Sequence, residues 1–571
     1  MFASFVAALG LAYAGRRLSR KLQLVPHVPR PLYVPPKRRR PPAYEEMPLF
    51  RPIRGARRTT DYEAQKWLLA HPGPLYDLAG VLYPARLYLN KVMYVSGRPG
   101  TGKTVTMRLT MASMANLFGH HPMRWLIIDP TRAYLSYLYN VLPQGVEILH
   151  GTPVDSEAAS WRIRDDVTCE TDNVALQTAL FPDALFQKAG DPFWLNKARE
   201  VTQAVVTCFL DSGAEWEFAD LVVALKFPQF LRALLLQNPR TRGVAEIDLV
   251  DRLGRDIIST ASSVINKMAI GAALWQRATK SFSLKDFMNR SNAVLHFGFT
   301  PSLIPALAGI ANALTYLLIL KTAERNDEEN ITYFWLDEAS YLSDITGLHQ
   351  IAPRGRGAGM GALISSQGIP GLIRTWGQLT VEELLDTLTC WITLGAGYDT
   401  ARRFSQAVGQ IEGIEKSFGM SFTQGRSDTS TTSRGGGWSS GPGGQWGRNG
   451  NWGTSTSVSY STSSTYSENF RLALRDAVLP SEITNLGQAI DGIINGFVFN
   501  PDVGVYRFEM PFLEHFQRLG LSPFKAAPDR PGPDQILMPW KISDLQRLKI
   551  EPTEEMQEAM RLTWGAVGGI S

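Results

Sequence analysis

The segment Val95-Ser96-Gly97-Arg98-Pro99-Gly100-Thr101-Gly102-Lys103-Thr104 constrains this chain more than any other. It fits the phosphate-loop pattern G-x-x-x-x-G-K-[ST] at Gly97, Gly102, Lys103 and Thr104. Its flanks fit as well. Val92, Met93, Tyr94 and Val95 read as a short buried strand, and Val105 to Asn116 is apolar at helical spacing. Strand, glycine turn and helix form the setting in which this pattern binds phosphate rather than only turning the chain. The glycines let successive N–H groups converge on an anion, and the helix N-terminus adds a favourable dipole. The expected nucleotide contacts are Gly97, Arg98, Pro99, Gly100, Thr101, Gly102, Lys103 and Thr104. Lys103 would reach the β- and γ-phosphates, and Thr104 would hold Mg2+.

Further strands carry polar residues at their C-terminal ends, where ligands of α/β sheets bind. Trp125 to Ile128 ends in Asp129-Pro130. Asp129 either orders metal-bound water or caps the Pro130 turn. Val146 to Leu149 reads as a third strand. Tyr333 to Leu336 ends in Asp337-Glu338, which looks like the second nucleotide motif. Asp337 would contact Mg2+ through water and Glu338 would polarise the attacking water. The plainer reading of that pair is two carboxylates at a helix N-terminus. Arg354 and Arg356 fall in a glycine-rich turn before the strand Ala362–Ser365, with Gln367 at that strand's end. In a ring ATPase such an arginine reaches a neighbour's γ-phosphate. Outside that setting it is a solvated basic turn.

The 571 residues allow roughly two to four domains. Cys169, Cys208 and Cys390 form no close pair and no metal spacing, which excludes a disulfide framework and a zinc site. Charge is uneven. From Arg16 to Thr60 there are thirteen Lys or Arg and two acids, a local +11 against +5 for the whole chain. Such an arm suits an anionic membrane surface or nucleic acid, or is a solvated linker. Residues 1–15 (MFASFVAALGLAYAG) are uncharged and apolar but shorter than the ~20 residues of a span. With positive charge following, the expectation is a short membrane anchor with the bulk of the chain in the cytoplasm; an interfacial helix is the alternative.

Residues 168–288 read as an all-α insertion without strands, inside a nucleotide-binding domain formed by 61–167 and 289–512. Ser302 to Arg325 is a long apolar helix whose broad face belongs in a core. Residues 422–465 are Gly-, Ser- and Thr-rich, and are expected as a flexible loop. Their interleaved Trp and Arg suit stacking on single-stranded bases, but the composition alone explains a surface insertion. Ile493–Phe499 and Val505–Glu509 read as the last strands, and 513–571 as a C-terminal tail.

Taken in order, VSGRPGTGKT (95–104), LIIDP (126–130), SWRIRDDV (160–167), NAVLHFGF (292–299), FWLDEA (334–339), GRGAG-MGALISSQ (355–367) and LPSEITNLG (479–487) resemble the TraD/TraG-type coupling proteins of type IV secretion and conjugation, within the FtsK/HerA-like translocases. The resemblance spans about residues 89–509. It implies an α/β, RecA-like P-loop domain with an inserted all-α domain, behind the short apolar anchor. It implies ATP and Mg2+ as ligands, with Lys103 and Thr104 on phosphate and metal, and Asp337 supporting the metal. Glu338 is then the catalytic carboxylate, Arg356 the arginine acting in trans with Arg354 its close alternative, and Gln367 the γ-phosphate sensor. Also implied are a hexameric ring with DNA in its channel, a relaxase and inner-membrane secretion components as partners, and a place on the cytoplasmic face of a bacterial inner membrane. A DNA-packaging or segregation ATPase and a nucleotide-gated, membrane-tethered adaptor are the alternatives. Family members usually carry two full transmembrane helices before the motor; this chain has one short apolar segment and a basic arm.

Overall fold

The computed structural model describes residues 50–248, 251–342, 347–440, 446–489, 492–513, 529 and 532–566. The apolar stretch 1–15 and the basic arm up to residue 49 lie outside the described residues. The chain divides into two units. The larger runs from Arg57 to Val408 and resumes at Ala477; the smaller comprises residues up to Ala56 and Gly409–Asp476.

In chain order the strands are β1 (Phe50–Gly55), β2 (Leu75–Leu78), β3 (Val81–Pro84), β4 (Val92–Ser96), β5 (Met123–Asp129), β6 (Glu147–His150), β7 (Ala159–Trp161), β8 (Lys280–Phe282), β9 (Asn292–Gly298), β10 (Ile331–Leu336), β11 (Met360–Ser366), β12 (Cys390–Thr393), β13 (Gln410–Ser440), β14 (Trp446–Asp476), β15 (Ile493–Asn500) and β16 (Gly504–Pro511). The larger unit is built on a sheet ordered β16-β15-β12-β4-β11-β10-β5-β9-β6. From β12 to β6 every pairing is parallel; β15 and β16 add antiparallel at one edge. Strands β4, β5, β10 and β11 are buried at every residue. A parallel sheet covered on both faces excludes water from both, which is why these strands read as unbroken apolar runs. Trp125 and Trp335 meet in the core, with ring centroids 5.3 Å apart. The helix Ile304–Arg325 lies in the core too, as its apolar face requires.

Between Glu170 and Met288 the chain is mainly helical, including Pro192–Ser212, Phe218–Lys226 and Asp251–Ile265. One strand interrupts it. β8 pairs in parallel with β7, and its three residues are too few to show a period in sequence. The C-terminal tail is anchored: Trp540 is buried, stacks on Phe230 at 5.1 Å and donates to Asp220 Oδ1 at 2.9 Å. Arg547 donates to both oxygens of Asp220, each at 2.8 Å. The anchors are two single residues just beyond a Pro-rich stretch, so composition does not reveal them.

The smaller unit is a three-stranded sheet, β1-β13-β14. β1 falls in what composition reads as linker. The described part of 422–465 is paired strand rather than the expected flexible loop. β13 and β14 pair without a break in register from Gln410↔Asp476 to Ser440↔Trp446. The Gly/Ser/Thr content is that of a linker, but all the aromatic and charged residues of 417–440 and 446–469 fall at even-numbered positions, and that alternation is the strand signal.

Candidate functional site

The site forms where β4, β10 and β11 end side by side. β4 ends at Ser96, and the helix Lys103–Ala115 begins after six intervening residues. The intervening loop needs left-handed backbone at Gly100 (φ 81°) and at Gly102 (φ 99°), which only glycine adopts without strain. A Cβ at Gly102 would also meet Ile494 Cδ1 at 2.7 Å. The loop is pinned from neighbouring segments. Gly97 N donates to Ser366 O (3.3 Å), Arg98 N to Gly395 O (2.8 Å), and Ala489 N to Gly100 O (3.1 Å). Thr101 Oγ1 donates to Arg98 O at 2.7 Å. Thr104 is half-buried on the first helical turn.

Lys103 is buried and donates to Gly97 O at 2.8 Å, with Glu338 Oε2 3.9 Å away. Burial lowers its pKa, opposed by the charges of Glu338 and Asp337. The parallel register pairs Leu336 with Ile364, so Asp337 and Ser365 leave their strands as neighbours. Asp337 Oδ1 accepts from Ser365 Oγ (2.5 Å) and Glu338 N (3.0 Å); Oδ2 accepts from Tyr134 OH (2.9 Å). Burial pushes the Asp337 carboxyl above the usual range. The bonds from Ser365 and Tyr134 oppose this, and the nearby Asp129 and Glu338 charges reinforce it. Glu338 Oε1 accepts from Gln367 N (3.1 Å) and Ser340 Oγ (2.8 Å). Gln367 itself is exposed and lines a cavity of about 490 Å3 with Arg98, Pro99, Tyr341, Arg374 and Tyr398.

Asp129 is buried at the C-terminal end of β5. It accepts from Thr131 N (3.1 Å) and Tyr134 N (2.8 Å), capping the turn, and from His296 Nε2 at 3.2 Å. Of the two roles open to it, the structure shows the turn cap. Arg354 and Arg356 lie on the helix Leu348–Ala358 rather than in a turn. Arg354 is exposed, and the Arg356 side chain lies outside what the structure describes. The glycine between them serves packing: a Cβ at Gly355 would sit 2.5 Å from Met360 O. Sequence reading missed Tyr134, Ser340, Ser365 and His296, whose partners are set by strand pairing and by the Asp129 turn.

The donor set fits a nucleotide with its metal. Glycines without Cβ atoms line the turn before a helix N-terminus, and two buried carboxylates face one buried ammonium. Burial, with smaller contributions from the Asp129 and Glu338 charges, raises the Asp337 carboxyl, and a divalent cation there would favour its ionised form.

A phosphate loop at the end of a central parallel strand, faced by paired carboxylates, is the architecture of P-loop nucleotide-binding proteins. Within that class, the chain matches the type IV secretion-system coupling protein DNA-binding domain over residues 75–504, and it belongs to that family. The fold is also that of solved coupling proteins. The unbound monoclinic form of the bacterial conjugative coupling protein TrwBdeltaN70 superposes with a TM-score of 0.61 at 16% identity, covering 85% of this chain and 97% of that one. TrwB in complex with the non-hydrolysable ATP analogue ADPNP gives 0.60 at 15%, with the same coverage. TrwB in complex with ADP and Mg2+ gives 0.60 at 16%, again covering 85% and 97%. No match is found among curated proteins.

Proposed function

We propose that this coupling protein is an ATP-driven DNA translocase that delivers DNA, or DNA with attached protein, to a type IV secretion channel. The observation that carries the reading is the approach of Lys103 to Glu338 across the mouth of the phosphate loop. A buried ammonium 3.9 Å from a buried carboxylate, at the mouth of a glycine turn, suits a phosphate chain and its attacking water. The nucleotide complexes of TrwB, which share the fold, support ATP and Mg2+ as the ligands. Gly97, Arg98, Pro99, Gly100, Thr101, Gly102, Lys103 and Thr104 would hold the phosphates. Thr104 and Asp337 would hold Mg2+, which neutralises charge on the phosphates. Glu338, fixed by Gln367 N and Ser340, would take the proton of the attacking water. The Gln367 side chain would sense the γ-phosphate.

The active form is a hexameric ring. In it Arg356, or the exposed Arg354, of one copy completes the site of its neighbour, and DNA backbone runs through the channel without sequence preference. Residues 61–167 and 289–512 form the motor, and the helical 168–288 faces the relaxase-bound cargo. Residues 1–15 tether the ring to the cytoplasmic face of a bacterial inner membrane, beside the channel's inner-membrane components.

DNA-stimulated ATP hydrolysis by the full chain is the test. Glu338→Gln should bind ATP and fail to turn it over, and Lys103→Ala should do neither. A Lys103→Ala protein that still hydrolyses ATP, or a verified monomer with full activity, refutes the reading.

A further inference from the structure

We propose that the β13–β14 ribbon is an assembly element, which pairs edge to edge with the same ribbon of a second copy. The strands are 31 residues each, so the ribbon is roughly 100 Å long at ~3.3 Å per residue. Cross-strand partners lie on one face, and successive residues alternate between faces. The register therefore sorts the whole segment. One face holds pairs such as Ile414↔Leu472, Met420↔Tyr466 and Trp438↔Arg448. The other holds pairs such as Thr423↔Ser463, Thr429↔Ser457 and Thr431↔Ser455. On that second face, every residue from Ser417 to Ser439 and from Gly447 to Asn469 is Ser, Thr, Gly or Asn. All the aromatic and charged residues of these segments are on the first face.

Two features of this ribbon call for a partner. Its base carries exposed apolar residues, with Leu472 67% and Leu474 65% exposed. An isolated two-stranded ribbon is marginal in water unless its apolar face is covered. Its edges are also open. β1 pairs with β13 only as far as Glu415, and among the described residues no strand pairs with the rest of that edge, or with the outer edge of β14. Such edges are normally blocked by lysine, proline or inward charge. Residues 417–440 and 446–469 contain no lysine and no proline, and their five charges, Arg426, Asp428, Arg434, Arg448 and Glu468, are all confined to the first face.

The open edges select the occupant. A row of backbone N–H and C=O groups is satisfied by another strand. A nucleic acid stacked on the Trp–Arg face, or a lipid surface against it, leaves that row unpaired. The same ribbon of a second copy supplies a matching strand. The outer edge of β14 meets the outer edge of β13 in the antiparallel sense, and identical alternation continues both faces across the junction. A shift of one residue would place aromatics among hydroxyls, so the faces also fix the register. The inference is independent of nucleotide hydrolysis.

Amide hydrogen exchange on the full chain tests it. In a lone ribbon, N–H groups point alternately to the partner strand and outward. In the dilute monomer about half the amides of 417–440 and 446–469 should exchange fast, and on assembly the outward half should slow by roughly a hundredfold. Outward amides that stay fast in the assembled protein overturn the proposal. So does protection that appears in the monomer only on adding a single-stranded oligonucleotide or anionic vesicles. As a second arm, Gly419–Ser467, whose ends are cross-strand partners, is replaced by an Asn-Gly turn. Assembly should then need about tenfold more protein, and an unchanged concentration profile also overturns the proposal.

Discussion

Tyr134→Phe removes the hydroxyl that bonds the Asp337 carboxylate; the same hydroxyl also lies 3.5 Å from Met107 Sδ, a weak acceptor. The Tyr134 hydroxyl is 2.9 Å from Asp337 Oδ2, on a side chain with no exposure. The ring is held separately, with the Arg108 guanidinium 5.7 Å from its centroid, so phenylalanine keeps the packing. Asp337 retains Ser365 Oγ and Glu338 N on its other oxygen and loses its only described donor on Oδ2. A bond to a charged acceptor contributes about 1.5–3 kcal/mol. If that is lost from the active carboxylate geometry, turnover falls about 10- to 150-fold at 1.36 kcal/mol per decade.

The pH dependence has a definite sign. Burial already raises the Asp337 carboxyl, and the Tyr134 bond opposes that rise. Its ionised form is thus disfavoured by folding at neutral pH, and this cost disappears as pH falls through the raised value. Removing the hydroxyl raises the carboxyl further. The acid limb of ATP hydrolysis should move to higher pH, and half-saturation by Mg2+ should rise. Steady-state ATPase assays across pH and Mg2+ read both. Turnover that drops while the acid limb and the Mg2+ dependence stay in place would refute the positioning role, because a packing defect lowers activity without moving either.

Two stability predictions follow from packing alone. A Cβ at Gly361 in β11 would lie 1.8 Å from Leu89 O, which is backbone and cannot swing aside. Gly361→Ala should cost about 3 kcal/mol and lower the melting temperature measured by calorimetry. Asp220→Ala removes the acceptor shared by Trp540 and Arg547; with Arg547 partly solvated the loss should be about 2–3 kcal/mol. Limited proteolysis should then release the C-terminal residues while the phosphate loop stays protected.

The parts of the site that are contiguous in sequence were legible without the fold. Residues 97–104 carry their own geometry, because glycine spacing dictates the turn and the flanking apolar runs dictate strand and helix. Asp337-Glu338 and Gln367 were legible as strand ends. What holds them was not. Ser365 meets Asp337 because β10 and β11 pair in parallel register, and Tyr134 arrives from the turn that Asp129 caps. His296 reads as one polar residue in a buried strand until β9 lies beside β5 and brings it to Asp129. The arginine turn was misread because glycine is taken as a helix breaker, whereas Gly355 is there to let Met360 O approach. The ribbon was misread for another reason. Its composition was averaged over both faces, although the two faces have different compositions.

Glu338 shows where sequence reasoning stops. Its backbone is left-handed, with φ 45°, a conformation that costs a non-glycine residue about 1–3 kcal/mol. A relaxed backbone at that position would turn the side chain out of the crevice. Here the strain is offset by contacts on both backbone and side chain. Its N–H is shared by Asp337 Oδ1 and Ser365 Oγ, and its carboxylate is held by Gln367 N and Ser340 Oγ with Lys103 nearby. Every one of these partners is itself a strand end, a loop or a helix start at the same edge of the sheet. The carboxylate is therefore held by the sheet edge as a whole, and movement of β11 relative to β10 would act on Glu338 first. Gln367, through its backbone N–H, and Ser340, through its hydroxyl, both hold Glu338 and both line the cavity beside the site, so they link events in that cavity to the carboxylate directly.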